Sequence, residues 1–273
     1  MNITFNRKQK HVEVEMKRSI QEALDKFLED ITTTAATPAT SNLFEVNPNA
    51  EQLDKEKSDN FHSVVAKLLY IDKRARPDIE TAIAFLCTRV SKSDEDDWEK
   101  LRRCFQLLLG TIDDVRIIGA MSLKALHTWV DAAYAVHSDM RSHTGGAMSF
   151  GYGMVHARST KQKLNTESST EAEVVGASDY LPYNLWLGMF LKEQGYNLSA
   201  NFCYQDNQSA MKIEKNGRNS CTGNSRHVNI RYFLIKDRSD KREVLIHYCP
   251  TLLMIADYFT KPLQEQLFKS LRN

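Results

Sequence analysis

Residues 116–162 read RIIGAMSLKALHTWVDAAYAVHSDMRSHTGGAMSFGYGMVHARSTKQ, and this stretch decides the fold class. Short runs rich in β-branched and aromatic residues, near Arg116–Ala120 and at Leu126–Asp131, are set apart by turn-forming residues and predict strands. The glycine-rich run TGGAMSFGYGMVHARS predicts a β-hairpin; it lacks the GxxxxGKS/T word of a phosphate loop. Downstream the apolar period lengthens. Val174, Ala177, Leu181, Leu185 and Met189 form a stripe that predicts a helix from Ser168 to about Gly195, kinked or split at Pro182. A strand over Asn201–Gln205 leads into a helix from Asn207 and a basic helix over His227–Arg238. A strand over Glu243–Cys249 and a last helix over Leu253–Leu271 follow. Strands first, then alternating helices and strands, predict an α/β domain with a mixed sheet flanked by helices.

Upstream the texture is different. Residues 1–14 alternate as a short hairpin, and Ile20, Leu24, Phe27, Leu28 and Ile31 mark an amphipathic helix. Residues 32–59 hold Pro38 and Pro48 among many Thr, Ser and Asn, have no period, and read as a long connector between units or as chain threading over a larger surface. Three helices then fill residues 60–112. The first carries Val64, Val65, Leu68 and Leu69, and the second opens at Pro77. The third has Ser93 as its N-cap, and its acids at Asp94–Asp97 complement the helix dipole rather than hold a metal.

The 273 residues are 42% hydrophobic and carry a net charge of +1, so any nucleic acid must be met by local patches rather than by a polycation. Five scattered cysteines contain no CxxC pair, which excludes a zinc knuckle and fits reduced thiols in an intracellular protein. Neither a signal peptide nor an apolar run long enough to span a membrane is legible. With no GxSxG elbow, a Ser/His/Asp hydrolase is not indicated, and Trp98, Trp129 and Trp186 read as core.

The acids carry the chemistry. Asp131 and Asp206 each follow a strand, where ligands of α/β sheets bind. Glu171 and Glu173 open the long helix, nearly opposite each other around it, and position alone does not choose between them. Asp257 lies early in the last predicted helix. Carboxylates gathered together repel unless cations hold them, and hard oxygen ligands favour Mg²⁺ or Mn²⁺. Two such ions ~4 Å apart can clamp a phosphodiester. Candidates for gripping a nucleic-acid backbone are Arg158, Lys161, Gln162, Lys163, Arg226, His227 and Arg231, with Asn207 and Gln208 beside Asp206. Each single basic residue reads equally as ordinary solvated surface.

From Ala66 onward the chain resembles the end of the copia-type retrotransposon polyprotein, where reverse transcriptase runs into RNase H. The words that carry the resemblance are LLYIDKRARPDIETAIAFL, VDAAYA, MRSHTGGAMSFGYGMV and KQKLNTESSTEAEVVGASDYLPYNLWLGMFLKEQGY, then YQDNQSAMKIEKN, SRHVNIRYFLIKD and YCPTLLMIADYFTKPL, in the family's order and spacing. Residues 1–31 look like the edge of the family's polymerase palm.

The resemblance implies an RNase H-like mixed five-stranded sheet over 115–273, preceded by a helical thumb or connection over 60–112. It implies endonucleolytic cleavage of the RNA strand of RNA–DNA hybrids with two Mg²⁺ ions, Mn²⁺ being possible. Asp131 matches the first catalytic and metal-binding acid, Glu173 the second in preference to Glu171, Asp206 the third and Asp257 the fourth. It further implies an upstream polymerase part of the same polyprotein as partner, and a cytoplasmic, virus-like-particle location without a membrane. Two departures stand out: Leu252, Leu253 and Met254 are apolar where the family is more polar, and no Tyr-x-Asp-Asp polymerase word occurs, so no polymerase activity is expected. His247 does not match the histidine that RNase H relatives place near the fourth acid. The rival readings are a catalytically inactive nucleic-acid-binding remnant of a degenerate element, and a nuclease of the same fold acting on DNA.

Overall fold

In a computed structural model of the protein, residues 1–216 and 226–272 are described, with the side chains of all of these except residues 216, 226–230 and 232. The chain divides into two compact units, Met1–Ile118 with the segment from Lys261 onward, and Gly119–Thr260.

In the first unit, β1 (Asn2–Asn6) and β2 (His11–Glu15) form the expected hairpin, with Ile3 opposite Val14. Helix α1 (Lys17–Leu24) is shorter than its apolar period, although Phe27 beyond it is buried. Asp54 caps α2 (Lys55–Asp72) by accepting the Lys57 N–H at 2.8 Å, and the helix buries Phe61, Val64, Val65, Leu68 and Ile71. Pro77 opens a 3-10 turn that runs into α3 (Glu80–Cys87), as its fixed φ favours. The N-cap of α4 (Glu95–Gly110) is Asp94, not Ser93. Asp94 and Asp97 form a reciprocal capping box, and Arg89 pairs with both at 2.9 Å, so these acids are a helix start. Residues 32–54 contain no helix, yet Ala39, Leu43, Phe44 and Leu53 are buried: this stretch is packed chain, anchored by apolar side chains between polar ones.

The second unit is built on a five-stranded sheet. Gly119 and Ala120, the end of β3 (Arg116–Ala120), pair separately with β6. The sheet itself comprises β4 (Ala125–Ala133), β5 (His143–Ser149), β7 (Met154–Lys161), β8 (Ala200–Gln205) and β9 (Leu245–Tyr248), with β6 (Gly151–Tyr152) in the β5–β7 hairpin. Its order is β7-β5-β4-β8-β9; β7, β5 and β4 run antiparallel to their neighbours, while β4, β8 and β9 are parallel. This mixed order is the RNase H-like arrangement that the resemblance implies. Alternation fixes the faces. Leu126 and Val130 pack with Cys203 and Ile246 under α5 (Ser169–Glu193), against Val174, Ala177, Tyr180 and Leu181. His127 and Trp129 lie on the opposite face, where Trp129 stacks on Tyr204 with ring centroids 5.2 Å apart.

Three expectations change. Helix α5 is neither split nor ended at Pro182. Burial of Tyr180 and Leu181 before the proline, and Asn184 donating to Thr128 and Asn201 at 2.7 Å after it, hold both halves against the sheet and outweigh the lost backbone hydrogen bond. Trp186 is 63% exposed rather than core, because five helical residues beyond Leu181 turn it well away from the buried stripe. The predicted last helix resolves into 3-10 turns over Thr251–Leu253 and Ile255–Phe259, then α8 (Glu265–Arg272) in the first unit. Pro262 and its effect on Lys261 forbid a continuous helix there. Between β8 and β9, α6 (Gln208–Asn216) and α7 (Arg226–Asp240) appear as expected.

Candidate active site

Trp129 of β4 is directly opposite Tyr204 of the parallel strand β8. Two residues further along β4 stands Asp131, and Asp206 follows directly on the end of β8, so both acids lie at the carboxyl end of the parallel pair. The third comes from α5, whose start is fixed by Ser168 accepting the Glu171 N–H at 3.2 Å. Gln162 ties this start to the sheet, donating to Thr144 Oγ1 and to the Ala172 carbonyl, both at 2.9 Å. Glu173 is then turned inward, 5% exposed, while half-buried Glu171 turns back to accept the Glu167 N–H at 2.6 Å. Of the two glutamates, Glu173 is the one grouped with Asp131 and Asp206.

Carboxylate oxygens of Asp131, Glu173 and Asp206 lie within 4.8 Å of one another. Asp131 and Glu173 are buried and Asp206 is half-buried, which leaves the cluster open at Asp206. Burial, then the charges of Asp131 and Asp206, push the Glu173 carboxyl well above the usual glutamate range. Its Oε2 is buried with no hydrogen-bond partner among the described residues. An orphaned carboxylate oxygen among two further carboxylates fits a divalent cation with hard oxygen preference, and among the described residues no other such group of three occurs.

Neighbouring polar groups orient the acids. The Thr260 hydroxyl donates to Asp131 Oδ2. The Thr251 hydroxyl donates to Asp206 Oδ2 at 3.1 Å, and Gln205 Oε1 accepts the Asp206 N–H at 2.9 Å. Neither threonine is apparent from sequence chemistry: both lie within the resemblance words, but a lone Thr has no signature until its acceptor, far away in the chain, is known.

Asp257 is buried in the turn Ile255–Phe259 and stands outside the group of three. It is near enough that its charge, after that of Asp206, helps raise the Cys249 thiol, for which burial is the largest cause. Of the proposed backbone contacts, Lys161 pairs with Asp139 at 2.7 Å, Arg231 pairs with Asp179, and Arg158 lies over the Tyr183 ring at 4.9 Å. Gln162 is buried and holds the framework instead of facing a ligand, because its amide has two internal acceptors. Asn207 caps α6, its Oδ1 accepting the Ser209 and Ala210 N–H groups at 3.0 and 3.1 Å. Lys163 and Gln208 are exposed. The side chains of Arg226 and His227 lie outside the described residues.

No family model matches the chain. It is similar to the retrovirus-related Pol polyprotein from transposon TNT 1-94 of Nicotiana tabacum, 26% identical over 274 residues that take in 98% of this chain and 20% of that protein. It is also similar to the retrovirus-related Pol polyprotein from transposon RE2 of Arabidopsis thaliana, 27% identical over 212 residues, 77% of this chain and 14% of that protein. Its homologues are retrotransposon Pol polyproteins, of whose length it spans a fifth or less. Among solved structures, a foamy viral protease-reverse transcriptase in complex with RNA/DNA hybrid superposes with a TM-score of 0.48 at 13% identity, covering 81% of this chain and 27% of that one. Among the described residues no helix is long and apolar enough to cross a membrane.

Proposed function

We propose that residues 115–273 form an RNase H-type endoribonuclease that hydrolyses the RNA strand of RNA–DNA hybrids, as part of a copia-type retrotransposon polyprotein. The observation that carries this reading is the convergence of Asp131, Glu173 and Asp206 from β4, α5 and the end of β8, with a buried Glu173 oxygen that has no hydrogen-bond partner among the described residues. The likeness of the sequence to retrotransposon Pol polyproteins supports it.

Asp131, Glu173 and Asp206 would hold two Mg²⁺ or Mn²⁺ ions, with Asp257 as a fourth acid at the margin. Bound there, such ions supply the charge that acidifies an attacking water and steadies the leaving oxygen. The chain's part is to hold the three acids in place. Thr251 and Gln205 hold Asp206 at the open side of the cluster, where a phosphodiester would approach. The products are a 3′-hydroxyl and a 5′-phosphate. The hybrid is gripped through its backbone and ribose 2′-hydroxyls, by Lys163, Gln208, Arg158, Lys161, Asn207 and Arg231, with Arg226 and His227 on α7. In the same reading residues 1–31 are a palm edge, 32–59 a linker, 60–112 a thumb or connection and 115–273 the RNase H-like domain. The partner is an upstream polymerase part of one polyprotein, acting inside the cell.

One observation favours a second reading, a chain that binds hybrid without cutting it: Leu252 and Leu253 are 84% and 65% exposed beside Thr251, an apolar surface where a polyanion would lie. A labelled RNA–DNA hybrid incubated with the chain in Mg²⁺ or in EDTA separates the two. Mg²⁺-dependent cutting of the RNA strand alone, abolished in a folded Asp206→Asn variant, is the expected outcome. Gel-shifted but uncut hybrid would support the second reading, and undiminished cutting by Asp206→Asn would overturn the site.

A further inference from the structure

Thr260 has no exposed surface, and a buried hydroxyl needs an acceptor. Its Oγ1 donates to Asp131 Oδ2, 129 residues away in the chain; the carbonyls of Ala256 and Asp257, at 3.4 and 3.5 Å, are the longer alternatives in its own turn. A hydroxyl bound to a carboxylate oxygen is a charge-assisted bond, which fixes the rotation of the acid.

The way Thr260 reaches that position is also visible. Gly145 of β5 is directly opposite Asp131 of β4. A Cβ at Gly145 would stand 2.6 Å from Thr260 Cγ2 and 2.8 Å from both the Ala256 carbonyl oxygen and the Phe259 carbonyl carbon. Two of these are backbone atoms, which cannot swing aside. The segment 256–260 therefore lies flat on a strand left bare at that residue, anchored by Ala256 and Phe259, both wholly buried.

We infer that Thr260 is a positioning residue for the cation site, seated by the docking of segment 256–260 on the bare Cα of Gly145, so that its hydroxyl holds the Asp131 carboxylate in its ligating orientation. This rests on the reading of Asp131, Glu173 and Asp206 as a divalent-cation site. Hydrogen bonds to ligating carboxylates orient them and tune affinity, and their removal typically costs about 10- to 100-fold in metal affinity or activity.

The test is calorimetric titration of the full chain with Mn²⁺, alongside hybrid cleavage, for wild type, Thr260→Val, Thr260→Ser and Gly145→Ala, with folding checked by circular dichroism. Thr260→Val should weaken Mn²⁺ binding by about 10- to 100-fold. Thr260→Ser keeps the donor and should bind as wild type does, a rescue that a purely packing role for the methyl group would not give. Gly145→Ala should weaken binding although the hydroxyl is intact. If the valine variant does not fold, Thr260→Ala makes the same comparison without the added methyl group. Wild type that binds and cuts, with a folded Thr260→Val or Thr260→Ala variant doing both equally well, overturns the inference alone. Wild type that holds no Mn²⁺ and cuts no hybrid overturns the cation site itself.

Discussion

Glu173 has a buried carboxylate with two like charges beside it and an oxygen that finds no hydrogen-bond partner among the described residues. Without a cation this arrangement works against folding. Glu173→Gln should therefore raise the melting temperature of the chain in EDTA at neutral pH, by about 1 kcal/mol or more in stability, while abolishing both cleavage and the stabilisation that Mn²⁺ gives the wild type. A melting temperature in EDTA lower than that of wild type would show that Glu173 is stabilised by something other than a cation. The residue also shows where sequence reading stops. Asp206 stands directly after β8, the local pattern of a strand followed by an acid, whereas Asp131 lies inside β4 and not after a strand as its sequence suggested. Glu173 and Glu171 are not separable by period, because α5 is buried on nearly every side from Ala172 to Ser178 and has no polar face there to rank them.

Among the elements, α5 departs most from its local rules. A proline in a helix interior costs roughly 3 kcal/mol, yet the helix runs unbroken from Ser169 to Glu193. Pro182 is exposed, so Pro182→Ala should add stability of up to about 3 kcal/mol without disturbing the core, read as a higher urea midpoint with an unchanged m-value. A lower midpoint would mean that the ring fills space that the helix needs. All five strands of the sheet and most helices are legible, since period two and period 3.6 rest on burial that the fold does provide. Where the reading fails at Pro182, a contact that decides it is with a distant strand, Asn184 with Thr128, whereas Trp186 and the broken last helix follow from the helix angle and from Pro262.

Across the whole molecule, buried acids set the response to pH. Burial, with the charge of Glu80, pushes Asp72 up to about 8; burial pushes Glu214 to about 7 and, with its neighbouring acids, Glu173 well above its usual range. An acid whose pKa is raised on folding stabilises the fold fully below its unfolded value, and loses that contribution as pH climbs toward the folded one. His137, lowered to about 4 by burial, and His143, lowered well below its usual range by burial, act in the opposite sense but only below the ordinary histidine value of about 6.5. Between pH 6.5 and 8 the unfolded acids are fully ionised while folded Asp72, its carboxyl pushed up to about 8, binds more proton than its unfolded counterpart, and the upward shifts of Glu214 and Glu173 act in the same direction, so stability should fall as pH rises. Melting curves in EDTA at the two pH values should show this decline, and Mg²⁺ should flatten the part due to Glu173 while Asp72→Asn removes the part due to Asp72. A flat profile in EDTA would contradict the burial of these acids. At this scale the packed course of residues 32–54 is not legible, because Leu43 and Phe44 are too few to give a period. One detail of β5 bears on the history of the gene. Gly145 lies against segment 256–260, and a Cβ on Gly146 would stand 2.3 Å from the Tyr180 ring, so neighbouring codons each specify the one amino acid without a Cβ, for opposite sides of one strand. Every missense change in either codon adds an atom that has no room. In a lineage of copies drifting without selection these two codons would erode as fast as any others, and in copies still under selection they would stay intact while surface codons scatter. Counting substitutions at this dipeptide across genomic copies would thus date the loss of a working fold without a protein being made.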